Sequence, residues 1–190
     1  MLPIQSLILF GIAIFVAYFF LSGFIWGAGY YPTSRKEIDA LGSLVDLNKN
    51  STVYDLGSGY GRMIIGIAEK YGAKTIGIEI DPIKCWWTKM MIARRHLRGR
   101  VRVIRGNMLN ANLSNADCVF IFLSEETKIM AKLHDKMFRE MKPGSSVISF
   151  VHKFKSWAPE KTQGSLTLYK VPETKSELGE GARNLGGRKM

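Results

Sequence analysis

The 190-residue sequence is poor in the residues that build disulfide scaffolds and metal centres. It has only two cysteines, Cys85 and Cys118, and they do not form a C-x-x-C pair. The three histidines, His96, His134 and His152, lack the spacing of metal ligands. We therefore expect two reduced, buried thiols, no disulfide and no bound metal.

Charge is missing from the N-terminus. No charged side chain occurs from Leu2 to Ser34, and the stretch from Leu7 to Gly27 is almost wholly apolar. About 20 such residues cross the hydrocarbon core of a bilayer as a helix. A cleaved signal peptide needs a basic start and a shorter apolar run, and a buried core helix is the other alternative. We predict a transmembrane anchor over residues 1–30.

The residues after this stretch predict a topology. Arg35 and Lys36 follow it directly, and positive charges flank the cytoplasmic end of a transmembrane helix. The expectation is a single-pass membrane protein whose remaining chain lies in the cytoplasm. Acidic residues are outnumbered throughout, with 16 Asp and Glu against 27 Lys and Arg. A net charge of +11 suits an anionic membrane surface, an acidic protein or nucleic acid, and the anchor favours the membrane.

After the apolar stretch, strand-like and helix-like patterns alternate. Strands are predicted at 52–56, 74–80, 101–105, 117–123, 146–151 and 166–171, and helices at 35–46, 61–71, 82–99 and 124–141. Repeated strand–helix units predict a Rossmann-like α/β domain, a parallel-dominated sheet with helices on both faces. Its predicted bounds are 31–171, and the polar, glycine-rich residues 172–190 are predicted to form a flexible tail.

The most specific motif joins the first predicted strand to the next helix. It reads Val-Tyr-Asp-Leu-Gly-Ser-Gly-Tyr-Gly-Arg over residues 53–62. A dinucleotide fingerprint would need a third glycine where Arg62 stands. Asp55 at the strand end is badly placed beside a diphosphate but suits a ligand that carries an ammonium group. S-adenosylmethionine carries one, so we predict it as the cofactor.

The next two strand ends carry matching polar groups. Glu79 ends the second strand, where a carboxylate can accept hydrogen bonds from both ribose hydroxyls. Asn107 follows the third strand, on the expected adenine side. The alternatives are a solvated Glu79 and a turn-forming Asn107. The predicted cofactor contacts are Asp55, Gly57, Ser58, Gly59, Gly61, Glu79, Ile80 and Asn107.

These motifs resemble the class I, seven-strand S-adenosylmethionine-dependent methyltransferases over most of residues 31–171. The sequence is most similar to a protein lysine methyltransferase group that includes archaeal enzymes and mitochondrial single-pass enzymes acting on membrane proteins. The segments that carry this narrower resemblance are 31–33, 55–62, 82–95, 120–123 and 154–159. Where that group commonly has Asp between the last two motif glycines, this chain has Tyr60.

The resemblance implies methyl transfer to a lysine side chain, and the predicted anchor favours a membrane protein as substrate. The catalytic candidates are Ser124 and Glu125, with Glu126 beside them, and Trp157 after the fifth strand. Each has a structural alternative, because the first three suit the start of a helix and Trp157 could fill the core. RNA, lipid or small-molecule methylation, and a non-catalytic cofactor-binding membrane protein, remain as alternative functions.

The predicted helix after Glu79 is aromatic and basic. Its helical spacing predicts a core face of Ile83, Trp86, Met90, Ala93 and Leu97. Six arginines form a cluster at and beyond its end: Arg94, Arg95, Arg98, Arg100, Arg102 and Arg105. They could be a solvated face, a contact for anionic lipid headgroups or an RNA-binding surface.

Overall fold

The computed structural model describes residues 3–26, 34–122, 128–154 and 157–173. The chain divides into two compact units, Met1–Pro32 and Thr33–Met190. In the first unit, helix α1 runs from Ile4 to Trp26, and large apolar side chains along its first half are exposed. Over the residues searched, which are the described ones, no helix combines the length and apolarity needed to cross a membrane. The structure therefore does not support the transmembrane part of the prediction.

The second unit alternates strands and helices, as the sequence predicts. Its elements are α2 (Arg35–Leu44), β1 (Thr52–Leu56), α3 (Arg62–Tyr71), β2 (Lys74–Glu79), α4 (Pro82–Arg94), β3 (Val101–Arg105), a 3-10 turn (Met108–Asn110), β4 (Cys118–Ile121), α5 (Lys128–Glu140), β5 (Ser146–Phe150), β6 (Lys161–Gln163) and β7 (Leu166–Lys170). The start predicted for the helix at 124 lies outside the described residues.

The strands form one seven-stranded sheet in the order β3-β2-β1-β4-β5-β7-β6. Strands β1 to β5 are parallel, and β7 pairs antiparallel with both β5 and β6. The predicted Rossmann-like, parallel-dominated sheet is confirmed. Parallel pairing aligns Leu56 with Ile78 and Ile121, and Glu79 with Arg105, so the carboxyl ends of β1 to β4 lie along one edge. Ligands bind at this edge in open α/β sheets.

Helices cover both faces because alternate strand residues point to opposite sides. In β4, Cys118 and Phe120 pack with α2 and α3, whereas Val119 and Ile121 pack with α5. Helices α3 and α4 share a further cluster with β3 on the first face. Both cysteines are free and buried, as expected for core thiols.

The predicted core face of α4 is wrong. Trp86 is 62% exposed, while Cys85, Thr88 and Ile92 are the side chains that face the domain. The helix also ends at Arg94 rather than near residue 99. The Leu97 amide turns back to donate to the Ile92 carbonyl oxygen at 3.0 Å, which satisfies an end-of-helix acceptor and stops the helix.

Candidate active site

A tight loop connects β1 to α3 at the carboxyl edge of the sheet. The amides of Gly57 and Ser58 both donate to the Ile78 carbonyl oxygen, at 2.9 and 3.1 Å, which fixes the loop against β2. Gly61 has a φ of 74°, and a Cβ added there would clash with the Thr88 methyl group. Glycine at 61 therefore serves both the backbone conformation and the close approach of α4.

Glu79 ties three strand ends together. Its Oε2 accepts a hydrogen bond from the Gly59 amide at 2.7 Å, and its Oε1 accepts one from the Asp81 amide at 2.9 Å. Its backbone carbonyl accepts from the Gly106 amide, after β3, at 2.9 Å. Each carboxylate oxygen keeps a further lone pair. The side chain is thus held at the edge of the site with the capacity to accept hydrogen bonds from a diol.

Asp55 is a buried carboxylate, 5% exposed. Burial raises the pKa of this group to about 7, and the negative charge of Glu79 adds to the rise. Among the described residues, none donates a hydrogen bond to its carboxylate or forms an ion pair with it. A bound cation would offset both effects, because an opposite charge favours the ionised form.

The fit to S-adenosylmethionine can be tested on these groups. The ligand's ammonium group would supply the cation that no described side chain gives Asp55, and Glu79 is placed for its ribose. The buried Ser58 hydroxyl also has no hydrogen-bond partner within the described structure. At Gly57 an added Cβ would meet only the Met108 Cε, at 3.6 Å, so there is open space above the loop. Donors, acceptors and space all suit this cofactor.

The expected adenine side is less fully built. Asn107 is exposed, and its Oδ1 accepts a hydrogen bond from the Leu109 amide at 2.9 Å, which is the turn-forming alternative. Ile80 is partly exposed directly after Glu79. Contact of Asn107 and Ile80 with adenine stays a prediction. Met108 and Thr88, which line the glycine loop, escaped the sequence analysis because their positions depend on tertiary packing.

Aromatic rings gather where β4 and β5 end. The Phe122 ring lies 5.4 Å from that of Phe150 and 6.3 Å from that of His152, between ring centroids. Val151 between them has a φ of 68°, and the His152 amide donates to the Phe150 carbonyl at 2.8 Å. This γ-turn is strained for a β-branched residue, and such strain clusters at functional sites. It directs His152 to the edge where an acceptor must arrive.

The catalytic candidates have different outcomes. Ser124, Glu125 and Glu126 lie outside the described residues. Trp157 is 4% exposed, and its indole N–H donates to the Lys170 carbonyl at 2.9 Å. Rings of Phe154, Tyr169 and His134 surround it. The core-filling alternative accounts for this packing, and a role for Trp157 at the acceptor site stays a prediction.

Tyr60, the departure from the pattern of the resembled group, packs outward from the glycine loop. Its ring meets that of Trp87 edge to face, with centroids 6.4 Å apart. The loop is therefore braced by α4 on two sides, through Thr88 below Gly61 and Trp87 beside Tyr60.

Comparison with known proteins identifies relatives with this arrangement. Residues 55–161 match the ANTKMT methyltransferase domain family. A protein-lysine N-methyltransferase of Saccharolobus islandicus is 30% identical over 133 residues, which cover 70% of this chain and 81% of that protein. A human lysine N-methyltransferase named for an ATP synthase substrate is 27% identical over 135 residues, covering 71% of this chain and 56% of that protein.

A solved structure shares the fold. An RNA methyltransferase from Salinibacter ruber, in complex with S-adenosyl-L-homocysteine, superimposes with a TM-score of 0.72 and 29% identity. The similarity covers 76% of this chain and 95% of that one.

Proposed function

Because the chain belongs to the ANTKMT methyltransferase domain family, we propose that it is an S-adenosylmethionine-dependent methyltransferase whose acceptor is a protein lysine. Relatives named as lysine N-methyltransferases support this acceptor. The observation that carries the proposal is the paired strand ends of β1 and β2. There no described residue supplies a cation to Asp55, and Glu79 is anchored with free lone pairs.

The residues of the site divide the work of binding and positioning. S-adenosylmethionine, when bound, supplies a methyl group on a sulfonium sulfur that an amine can displace. Asp55 holds the ammonium group of the ligand, Glu79 accepts its ribose hydroxyls, and the open glycine loop lets the backbone approach it. Fixing donor and acceptor in line contributes much of the rate in such reactions.

The acceptor lysine must lose a proton before it can attack, since its ordinary pKa is about 10.4. The apolar rings of Phe122 and Phe150 border the place where the amine must arrive, and burial lowers the pKa of an amine. His152 at the same edge is a group that can accept the proton. Ser124 and Glu125 follow β4 in the sequence and remain the other candidates for this role.

The proposal extends to a membrane or membrane-adjacent protein as substrate. Helix α1 carries no charged residue, and its exposed side chains include Leu7, Phe10 and Ile14. Exposed apolar surface of this extent is typical of a surface that binds lipid or another apolar partner. We propose that α1 attaches the protein to a membrane, with the catalytic domain on the cytoplasmic side as Arg35 and Lys36 indicate.

One observation favours a second candidate. The Salinibacter ruber structure is of an RNA methyltransferase, and this chain has the basic cluster that RNA binding requires. The two functions differ in where the transferred methyl group is found.

The test uses the full chain, radiolabelled methyl donor and a membrane-containing cell extract, followed by separate recovery of protein, RNA and lipid. The proposal predicts label in protein, and none with Asp55→Asn. Label in RNA that nuclease releases would favour the second candidate, and label in lipid would contradict both.

A further inference from the structure

The outer side of α4 is apolar and aromatic. Ile83, Trp86 and Trp87 are 37%, 62% and 42% exposed. Residues three and four apart share one side of a helix, so these three and the half-buried Met90 form a continuous stripe. The stripe lies opposite Cys85, Thr88 and Ile92, which face the core. Within the described residues nothing covers it, although tryptophan is a side chain that gains much from leaving water.

Positive charge surrounds this stripe. No acidic residue occurs between Asp81 and Asp117, a stretch with eight basic ones: Lys84, Lys89, Arg94, Arg95, Arg98, Arg100, Arg102 and Arg105. Arg95 is paired with Glu69 at 2.8 Å, and Arg100 donates to the Gly72 carbonyl.

Other cations near the stripe are not engaged in this way. Across the described part of the chain, Lys89, Arg94 and Arg98 form no ion pair, and Lys89 and Arg98 lie close to the exposed end of the helix. Arg94 lies one turn beyond Met90 on the side of the helix that carries the stripe. An apolar stripe bordered by unpaired cations is complementary to a surface that is anionic outside and apolar beneath.

The same surface is continuous with the cofactor site. Trp87 contacts Tyr60 in the glycine loop, and Asp81, which caps α4, donates its amide hydrogen to Glu79. A partner bound along α4 therefore lies next to the open edge of the sheet.

We propose that α4 docks on an anionic lipid bilayer, with Trp86, Trp87 and Ile83 at the level of the headgroups and Arg94, Arg98 and Lys89 on lipid phosphates. Tryptophan prefers this interfacial level, and basic residues next to it add attraction to anionic lipid. Lipid is favoured over RNA because Ile83 and Met90 extend the apolar stripe without offering a flat ring for base stacking. The inference goes beyond the proposed function, since lipid docking needs no methyl transfer.

The experiment measures quenching of tryptophan fluorescence by brominated lipid acyl chains, using the full chain with Trp26→Phe. Of the remaining tryptophans, Trp157 is buried and hydrogen-bonded, so the response comes from Trp86 and Trp87. Phosphatidylcholine vesicles with phosphatidylserine should quench them, and vesicles without it should quench them much less. Replacing Arg94 and Arg98 with Gln should shift the ratio of docked to undocked α4 by about fivefold for each charge removed.

A matched control removes the same charge from the opposite face of the sheet. Lys132 and Arg139 lie on α5, and their replacement by Gln should leave the quenching unchanged. The proposal is overturned if anionic vesicles do not quench Trp86 and Trp87, if neutral vesicles quench them equally, or if both pairs of variants behave alike. It is also overturned if RNA quenches them and displaces vesicles. Lysine methylation measured on the same samples reports separately on the proposed function.

Discussion

At the scale of single residues, the site depends on a carboxylate whose ionised form is unfavourable without a bound cation. Asp55 is buried beside Glu79, and both causes of its raised pKa act against its ionised form. Asp55→Asn keeps the shape and removes the charge. We expect the affinity for S-adenosylhomocysteine to fall at least about 30-fold, because loss of one partner of a buried charge pair costs about 2 kcal/mol or more. Isothermal titration calorimetry measures this directly.

The same substitution should stabilise the ligand-free protein. The pKa of Asp55 rises from 3.8 to about 7 on folding, so between these values the folded state holds a proton that the unfolded state has released. Stability therefore falls as the pH rises from about 4 to about 7. Denaturation should show Asp55→Asn more stable than the wild type at pH 8 and less distinct from it at pH 5. Loss of binding together with loss of stability would instead indicate misfolding.

Cofactor affinity should depend on pH through the same group. Binding of an ammonium group lowers the pKa of Asp55, so the complex forms with release of a proton below about pH 7. The dissociation constant for S-adenosylhomocysteine should rise by up to about tenfold per pH unit below 7 and level off above it. Titrations between pH 5 and 8 check this slope. A slope that persists in Asp55→Asn would assign it to another group.

Gly61 and Gly59 provide a matched pair for the loop. Both have positive φ, but an added Cβ would clash with Thr88 only at Gly61, and would meet nothing within 4 Å at Gly59. Gly59→Ala should cost about 1 kcal/mol of unfolding free energy for its backbone, and Gly61→Ala clearly more. Adding Thr88→Ser, which removes the clashing methyl, should recover part of the difference. Equal losses in the two single variants would contradict the close contact with α4.

At the scale of secondary-structure elements, α4 shows why periodicity can select the wrong face. Its sequence contains two helical stripes, and the stripe with Trp86 and Met90 has the larger apolar side chains. The structure buries the other stripe, because Cys85 and Thr88 are small enough for α4 to approach α3 and the glycine loop. The sequence alone does not give the spacing between these elements, and that spacing decided which side chains fit.

The orientation of α4 predicts unequal effects on stability. Ile92→Ala should lower the free energy of unfolding by about 2 to 5 kcal/mol, because it creates a cavity beneath the helix. Trp86→Ser should change it by no more than about 0.5 kcal/mol, as expected at an exposed position. Chemical denaturation of both variants tests the assignment. A larger loss from Trp86→Ser would restore the face predicted from the sequence.

At the scale of the whole molecule, the alternation of strands and helices was predictable because each buried strand is a continuous apolar run. Strand β6 was not, since Lys161–Gln163 are three exposed residues at the sheet edge with no apolar pattern. The cofactor residues Asp55 and Glu79 were predicted because strand order places both at one edge. The braces Thr88, Met108 and Tyr60–Trp87 were not, because they join segments that are distant in sequence.

The acceptor side was predicted less fully for the same reason. Strand ends predict where an acceptor arrives, but the γ-turn at Val151 and the ring cluster of Phe122, Phe150 and His152 depend on pairing between β4, β5 and β7. The catalytic domain thus presents a well-specified donor site, an aromatic acceptor edge, and a basic, aromatic surface on α4 beside them.

The central claim is that this molecule methylates protein lysine through the Asp55 site. The most direct measurement incubates the purified full chain and a membrane protein fraction with a donor that carries a trideuterated methyl group, and maps the label by tandem mass spectrometry. The account predicts deuterated methyl groups on lysine Nζ with the wild type and none with Asp55→Asn. Label found only on RNA or lipid, or equal lysine labelling by both proteins, would contradict it.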